Sequence, residues 1–430
     1  MKTLRIGLLS LVCASACAGA TESDGAARKV LAQLVAHDFA AVYANMTPTL
    51  KAAVTNAQML ATAWQQVTGP VGDFQRVTSV ESMTAPNGLH ATTLHCAFTR
   101  GPLDVRLAFD AQGQLAGLFF PPPTAPAASW SPPSYAAPER FDERDVTVGA
   151  APFVLKGKLT LPRGAGPFPA VVLVHGSGPQ DENEQVGPNA PFHDLAVGLA
   201  SRGIAVLRYQ KRTFVYHQAE PNFTVRQETI DDAQAAVALL AKTDKIDRKR
   251  IFVLGHSLGG MLAPRIADHD PLVAGLIIAA GTTRPLEEIV LEQVKARGTP
   301  DDIKAAQASL ERIRDPKLKP SDIVDFVGAK VPGSYFLDLR HYSPAQLAAQ
   351  LDVPILVLQG DRDIQVRAAD FAGWQRTLGA RPHAQLKRYP TLTHLFTAGE
   401  GTLADYEKPA HVAPEVIADI AAFVDKGRTQ

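Results

Sequence analysis

Between residues 26 and 71 apolar side chains return at every third or fourth position. Val30, Leu31, Leu34, Phe39, Val42 and Tyr43 recur at helical spacing, and Met59, Leu60 and Trp64 predict a further short helix. The period then drops to two. Phe74 to Ser79, Ala91 to Phe98, Leu103 to Phe109 and Leu115 to Phe120 read as strands. Asn87-Gly88, Arg100-Gly101-Pro102 and Gln112-Gly113 separate them as hairpin turns. Helices followed by a meander predict a small α+β unit over residues 21–120, its antiparallel sheet folded over a helix.

From Phe120-Pro121-Pro122-Pro123 to Pro138 the chain is dense in proline, alanine and serine. Such a composition stays extended, so a linker is expected over 121–140. Residues 141–430 have a different rhythm. Val146–Val148 and Phe153–Leu161 predict a leading antiparallel pair. Val171–Val174, Ile204–Tyr209, Ile251–Leu254, Leu276–Ala280, Ile355–Leu358 and Gln385–Tyr389 are short strands, several of them apolar throughout. Helices are predicted between them at Pro191–Ser201 and Val225–Lys242, and at the end of the chain over Pro414–Val424. Alternating strands and helices predict an α/β fold, a mostly parallel, doubly wound sheet covered on both faces. Residues 284–350 break the alternation. They read as an amphipathic helical cap insertion without a convincing central strand, with Ser343-Pro344-Ala345-Gln346 forming a helix start.

The first twenty residues stand apart. Lys2 and Arg5 precede the apolar run Ile6–Ala14, and Ala18-Gly19-Ala20 supplies small residues. That order predicts a signal peptide over 1–20, cleavage after Ala20, and a periplasmic or secreted protein. Lipid attachment at Cys17 ranks lower, because the usual leucine is missing ahead of it. The run is too short to span a bilayer, and stable membrane insertion is not expected. After cleavage Cys96 is the remaining cysteine, which excludes an intrachain disulfide; within a strand it reads as a small buried hydrophobe. The 43 basic residues balance the 43 acidic ones, and nothing in that charge points to nucleic acid. The oligomeric state is left open.

The chemistry sits at strand ends. Gly255-His256-Ser257-Leu258-Gly259 follows one apolar strand and precedes a helix. A nucleophile at such an elbow needs a strained backbone, and Gly255 and Gly259 keep side chains out of its way around His256. After the strand Ile355–Leu358 comes Gly360-Asp361-Arg362-Asp363. Asp363 is preferred to Asp361, since the acid in this arrangement usually lies three residues past the glycine. His394 follows the strand Gln385–Tyr389, whereas His383 precedes it and His411 lies in the final connection. Ser257, Asp363 and His394 thus stand in the order nucleophile, acid, base. A neutral imidazole takes the proton that makes a serine hydroxyl nucleophilic. The Leu258 N–H at the helix start is one expected oxyanion donor. The Ser177 N–H, in His175-Gly176-Ser177-Gly178-Pro179, is the other, with Gly178 as the second choice. No cofactor or metal is required.

These motifs, with Gln180-Asp181, Gly187-Pro188-Asn189, Pro191-Phe192 and the run Ala200 to Tyr209 followed by Lys211-Arg212, give residues 145–425 a resemblance. They look like the dienelactone-hydrolase-like and acyl-peptidase-like branch of the α/β-hydrolases, and in particular like exported bacterial esterases. The N-terminal unit resembles the small cone-shaped domain, of no established activity, that precedes such enzymes. The resemblance implies a carboxylesterase acting through an acyl-enzyme on a small-molecule ester. An exopeptidase on the same triad, or a catalytically silent binding protein on the fold, are the alternatives. Two departures count. Ser257 stands where dienelactone hydrolases proper use cysteine, and Gln210 where related esterases often carry aspartate, which leaves the role of Lys211-Arg212 open. Asp181, Glu182 and Glu184 read as a solvated acidic loop rather than a metal cluster. His193 and His217 read as surface or loop histidines. Tyr335, Phe336 and Tyr342 either line an acyl pocket or pack under the cap.

Overall fold

The computed structural model describes residues 13–84, 89–120, 130–216, 222–326 and 328–426. Asn87-Gly88, His217 and most of the expected signal peptide lie outside them. The chain divides into two units, Met1–Ala128 and Ser129–Gln430.

In the first unit, helices at Cys13–Val35, Phe39–Ala44, Pro48–Val54 and Ala57–Val71 precede the sheet. Asp38, Thr47 and Asn56 start the last three, each side chain accepting a backbone N–H that the helix leaves unpaired. Strands β1 (Phe74–Thr84), β2 (His90–Phe98), β3 (Gly101–Phe109) and β4 (Leu115–Phe119) form an antiparallel meander in that order. Leu34, Leu94, Val105, Leu107 and Leu115 are wholly buried between helix and sheet. Cys96 is buried among them, and burial above all pushes its thiol up to about 12, so it acts as a hydrophobe.

The second unit is built on β5 (Phe141–Ala150), β6 (Phe153–Pro162), β7 (Phe168–Val174), β8 (Ala205–Tyr209), β9 (Ile246–His256) and β10 (Val273–Ala279). A small hairpin of β11 (Ile323–Phe326) and β12 (Ala329–Pro332) follows, then β13 (Ile355–Gly360) and β14 (Ala384–Tyr389). The main sheet runs β14-β13-β10-β9-β7-β8-β6-β5, antiparallel at the β5-β6 and β6-β8 pairs and parallel from β8 to β14. Successive residues of one strand feed opposite cores. Val172 and Val174 pack with the helix Leu258–Ala267, and Val171 and Leu173 with the helices Pro191–Ala200 and Pro414–Lys426.

The insertion differs from its helical expectation. Helices Leu286–Arg297 and Pro300–Arg314 lead into the β11–β12 hairpin, and helices Gly333–Leu339 and Pro344–Ala348 follow. Strands of four residues are too short to impose a visible period, and Gly328 near the turn takes a φ of 79°. Pro344 does open its helix, but the Ser343 side chain accepts no capping bond; the reciprocal box is formed by Thr299 and Asp302. The helix expected over 225–242 begins as a π turn, Arg226–Ile230, and becomes α-helical at Asp231–Ala241.

Residues 130–137, expected as linker, are strapped to this second unit. The Trp130 indole donates to Asp194 at 2.8 Å and stacks on His193 with ring centres 3.6 Å apart. The Tyr135 hydroxyl donates to the Val412 carbonyl at 2.8 Å, and the Ala137 N–H to the Ser201 hydroxyl at 2.8 Å. His193 is therefore no free surface histidine. Burial first, then the Arg208 and Lys158 charges, hold its pKa down to about 3 against an ordinary 6.5. Between those values the unfolded chain takes a proton that the native protein refuses, so this group removes stability as pH falls through the window. His193→Phe keeps a ring under Trp130 and is expected to flatten the fall in melting temperature from pH 6.5 towards 3. An unchanged slope in melts across that range would refute this.

Candidate active site

Strands β7, β9, β13 and β14 all point the same way, so the loops leaving them meet at one edge of the sheet. Ser257 lies between β9 and the helix Leu258–Ala267 with φ 54° and ψ −114°, a strained conformation for a residue with a side chain. Its N–H donates to the Ala279 carbonyl at 2.9 Å, and its carbonyl accepts the Met261 N–H at 2.9 Å. The flanking glycines answer to crowding. A Cβ on Gly255 would lie 2.1 Å from the Gly259 carbonyl oxygen, and one on Gly259 would lie 2.3 Å from that of Val174. Gly259→Ala is expected to cost about 3 kcal/mol or more, because backbone on both sides must give way. A denaturation midpoint within error of the parent's would overturn that expectation.

His394 and Asp363 meet, with Nδ1 and Oδ2 2.7 Å apart, and both are buried. The carboxylate is held on all sides. Its Oδ1 accepts the N–H groups of Gln365 and Val366 at 2.7 and 2.9 Å, and its Oδ2 also accepts the Gln359 amide at 3.1 Å. Asp361 turns instead to Arg388 at 2.7 Å, and His411 pairs with Asp194. Among the described residues no hydrogen bond joins the Ser257 hydroxyl to His394. Such bonds are often long before substrate binds. The two loops are tied one residue earlier: His256 Nε2 donates to the His394 carbonyl at 2.9 Å.

The loop after β7 lies against the nucleophile, since a Cβ on Gly176 would sit 3.2 Å from that of Ser257. The Gly176 N–H donates to Glu184 Oε1 at 2.5 Å, and the Gly176 carbonyl accepts Lys211 Nζ at 2.7 Å. The next donor in line is the Ser177 N–H, which makes no backbone bond among the described residues. The Leu258 N–H opens its helix, where no intrahelical acceptor exists. Gly178, the second choice, takes a left-handed φ of 83° within the same loop.

The acidic run at 181–184 is only partly solvated: Asp181 and Glu182 keep some exposure, and Glu184 goes inside. Asp181 binds the N–H groups of Asn183 and Gln185, and Glu182 accepts the Gln210 amide. Glu184 is only 2% exposed and lies 2.8 Å from His256 Nδ1, out of line for a good hydrogen bond but close enough for an ion pair. Phe192, Leu254, Leu358 and Phe396 wall the pair off. Burial alone would lower the His256 pKa, but the Glu184 carboxylate outweighs it and raises it. For Glu184 the same balance runs the other way, and His256 draws its pKa down. Neighbouring His175 has its Nε2 2.9 Å from the Asp181 carbonyl and is held neutral by burial, down to about 4. Among the described residues no cluster of three or more His, Cys, Asp or Glu could hold a metal ion.

Glu184 and Lys211 could not be singled out from their own surroundings in the chain. One signal was available. The residue before a nucleophile at a strand end points into the protein, and a histidine there requires a buried partner. Tyr335 and Phe336 are buried packing residues: the Tyr335 hydroxyl donates to Glu228 at 2.6 Å, and Phe336 meets Phe326 edge-on at 5.1 Å. The Tyr342 hydroxyl donates to the Met261 carbonyl at 2.7 Å. Arg212 grips Asp232 through two bonds of 3.0 and 2.6 Å.

Residues 171–427 match the alpha/beta hydrolase family, and residues 27–118 match a family described as a protein of unknown function (DUF3887). The chain is 39% identical over 388 residues to esterase EstD of Thermotoga maritima, covering 89% of this chain and 90% of that protein. Among solved structures it is similar to Est1E from Butyrivibrio proteoclasticus, at 18% identity and a TM-score of 0.46 over 66% of this chain and 99% of that one. It is likewise similar to the alpha/beta hydrolase GrgF from Penicillium, at 16% identity and a TM-score of 0.46 over 66% and 99%.

Proposed function

Because this chain belongs to the alpha/beta hydrolase family, we propose that it is a serine carboxylesterase for small to medium acyl esters, with Ser257, His394 and Asp363 as its triad. The observation that carries the reading is the buried Asp363–His394 pair, 2.7 Å apart, at the same sheet edge as a strained serine. The esterase name of the EstD relative supports the choice of substrate class. In this mechanism Asp363 keeps the proton of His394 on Nδ1, which leaves Nε2 free to accept the Ser257 proton. Ser257 Oγ bonds to the ester carbonyl carbon, and the carbonyl oxygen takes the negative charge towards the Leu258 and Ser177 N–H groups. As the tetrahedral centre collapses, the alkoxy C–O bond breaks and His394 passes its proton to the departing alcohol. Water then gives a proton to the same imidazole as its oxygen bonds to the acyl carbon; the bond from that carbon to Ser257 Oγ breaks, the acid leaves, and His394 returns the proton to Oγ.

The test is a panel of p-nitrophenyl esters of rising acyl length beside aminoacyl p-nitroanilides, followed by fluorophosphonate labelling and peptide mapping. Ester turnover with the label on Ser257 is expected. Amide turnover at an equal rate would move the protein to the peptidases, and absence of both turnover and label would overturn the reading. Export is proposed with it, on the charged, apolar and small-residue order of residues 1–20.

A further inference from the structure

The Gly176 carbonyl and the Ser177 N–H belong to a single peptide group. A peptide is planar and trans, so fixing the direction of its carbonyl fixes its N–H in the opposite direction. The carbonyl is held by Lys211 Nζ at 2.7 Å. A cation on the oxygen also polarises the group and makes its N–H a stronger donor. The preceding peptide is held from the other side, its N–H on Glu184 Oε1 at 2.5 Å. Two buried charges of opposite sign thus bracket the backbone of Gly176.

Lys211 is 2% exposed, and a buried ammonium needs a counter-charge. Glu228 supplies it, with Oε1 2.7 Å from Nζ. Glu228 sits in the π turn Arg226–Ile230, a rare form of helix that is frequent at functional sites. Its other oxygen accepts the Tyr335 hydroxyl at 2.6 Å, and Tyr335 belongs to the insertion helix Gly333–Leu339. That helix is seated on the same segment twice more. The Ser334 hydroxyl donates to the Phe223 carbonyl at 2.8 Å, and Asp338 accepts the Arg226 N–H at 3.1 Å. Burial above all, with Glu228 adding to it, raises the Tyr335 pKa, so the phenol stays protonated and a donor.

We propose that Tyr335, Glu228 and Lys211 form a positioning relay that carries the seating of the insertion to the Ser177 oxyanion donor, with Glu184 fixing the far side of the same loop. Stability alone is a poor reason for such a pair, since apolar residues of similar size often replace buried ion pairs without loss. What an apolar replacement could not do is grip the Gly176 carbonyl. The proposal rests on the esterase reading given above, and its experiment separates the two.

An alkyl trifluoromethyl ketone adds to a catalytic serine as a tetrahedral oxyanion, so its inhibition constant reports on the oxyanion hole. Lys211→Met is expected to weaken inhibitor affinity and kcat/KM together by about 10- to 100-fold, with KM nearly constant, as for a slightly misplaced transition-state contact. Tyr335→Phe, which removes one hydroxyl from the far end of the relay, is expected to lower both by roughly 3- to 10-fold. Lys211→Met strands the Glu228 charge and can fail to fold, in which case Tyr335→Phe decides alone. A folded Tyr335→Phe protein with a lowered melting temperature but parental inhibitor affinity and kcat/KM would overturn the relay. A parent protein that neither hydrolyses esters nor binds the ketone would sink the esterase reading itself.

Discussion

Ser257→Ala is expected to reduce ester turnover by about 10⁴-fold or more while leaving the protein folded, because without Oγ no acyl-enzyme can form. The substitution is a clean one here. Alanine is strained by the φ of 54° much as serine is, so backbone energy barely changes. The hydroxyl is half-buried and bonds to none of the described residues, so no partner is stranded by its loss. The Gly176 clamp, the Asp363–His394 pair and the helix start at Leu258 all remain in place, and a residual rate above that of water is expected from them. Turnover of p-nitrophenyl butyrate, with thermal melts as the folding control, checks both halves. A variant within tenfold of the parent would remove Ser257 from the mechanism.

Asp363→Asn should approach the same loss, about 10⁴-fold, although it changes only one atom. Every partner of this carboxylate is a donor: the N–H groups of Gln365 and Val366 on one oxygen, the Gln359 amide and the His394 ring on the other. An asparagine has a single oxygen to offer. Facing it towards the two backbone N–H groups leaves its NH₂ against the Gln359 NH₂ and forces His394 Nδ1 to accept. The ring proton then moves to Nε2, the atom that should take the serine proton. Facing it the other way strands two buried N–H groups and lowers stability. The expected result is therefore a fall in kcat with KM little altered, and kcat measured at saturating ester decides it. Asp361→Asn, by contrast, touches only the Arg388 pair.

Most of the parallel strands of the sheet were legible as apolar runs bounded by turn residues, with β14 the polar exception, and order along the chain was enough to nominate Ser257, Asp363 and His394. Their meeting at one edge follows from the parallel pairing of β9, β13 and β14. What could not be read was which polar residues go inside. Asp181, Glu182 and Glu184 look alike in the chain, yet only Glu184 is buried. Its partner His256 arrives from a strand 72 positions later, once β7 and β9 lie side by side. Lys211 is likewise defined by Gly176 and Glu228, neither adjacent to it in sequence. The π turn escaped because one extra residue per turn, over five residues, shifts an apolar stripe too little to see. The β11–β12 hairpin escaped because four-residue strands carry too few positions to alternate.

The Trp130–Tyr135–Ala137 strap redraws the catalytic unit as a piece of material that can be cut. Proline-rich composition invites a cleavage point near residue 141, where β5 begins. A cut there would unstack His193, take a donor from Asp194, and release the Val412 carbonyl. Val412 is followed by Ala413, whose N–H is bonded to Phe396 at 2.9 Å, two residues past His394. Eleven residues that carry no chemistry of their own therefore belong to the smallest segment that could be transplanted, fused or expressed with its active edge intact, and that segment starts no later than Trp130.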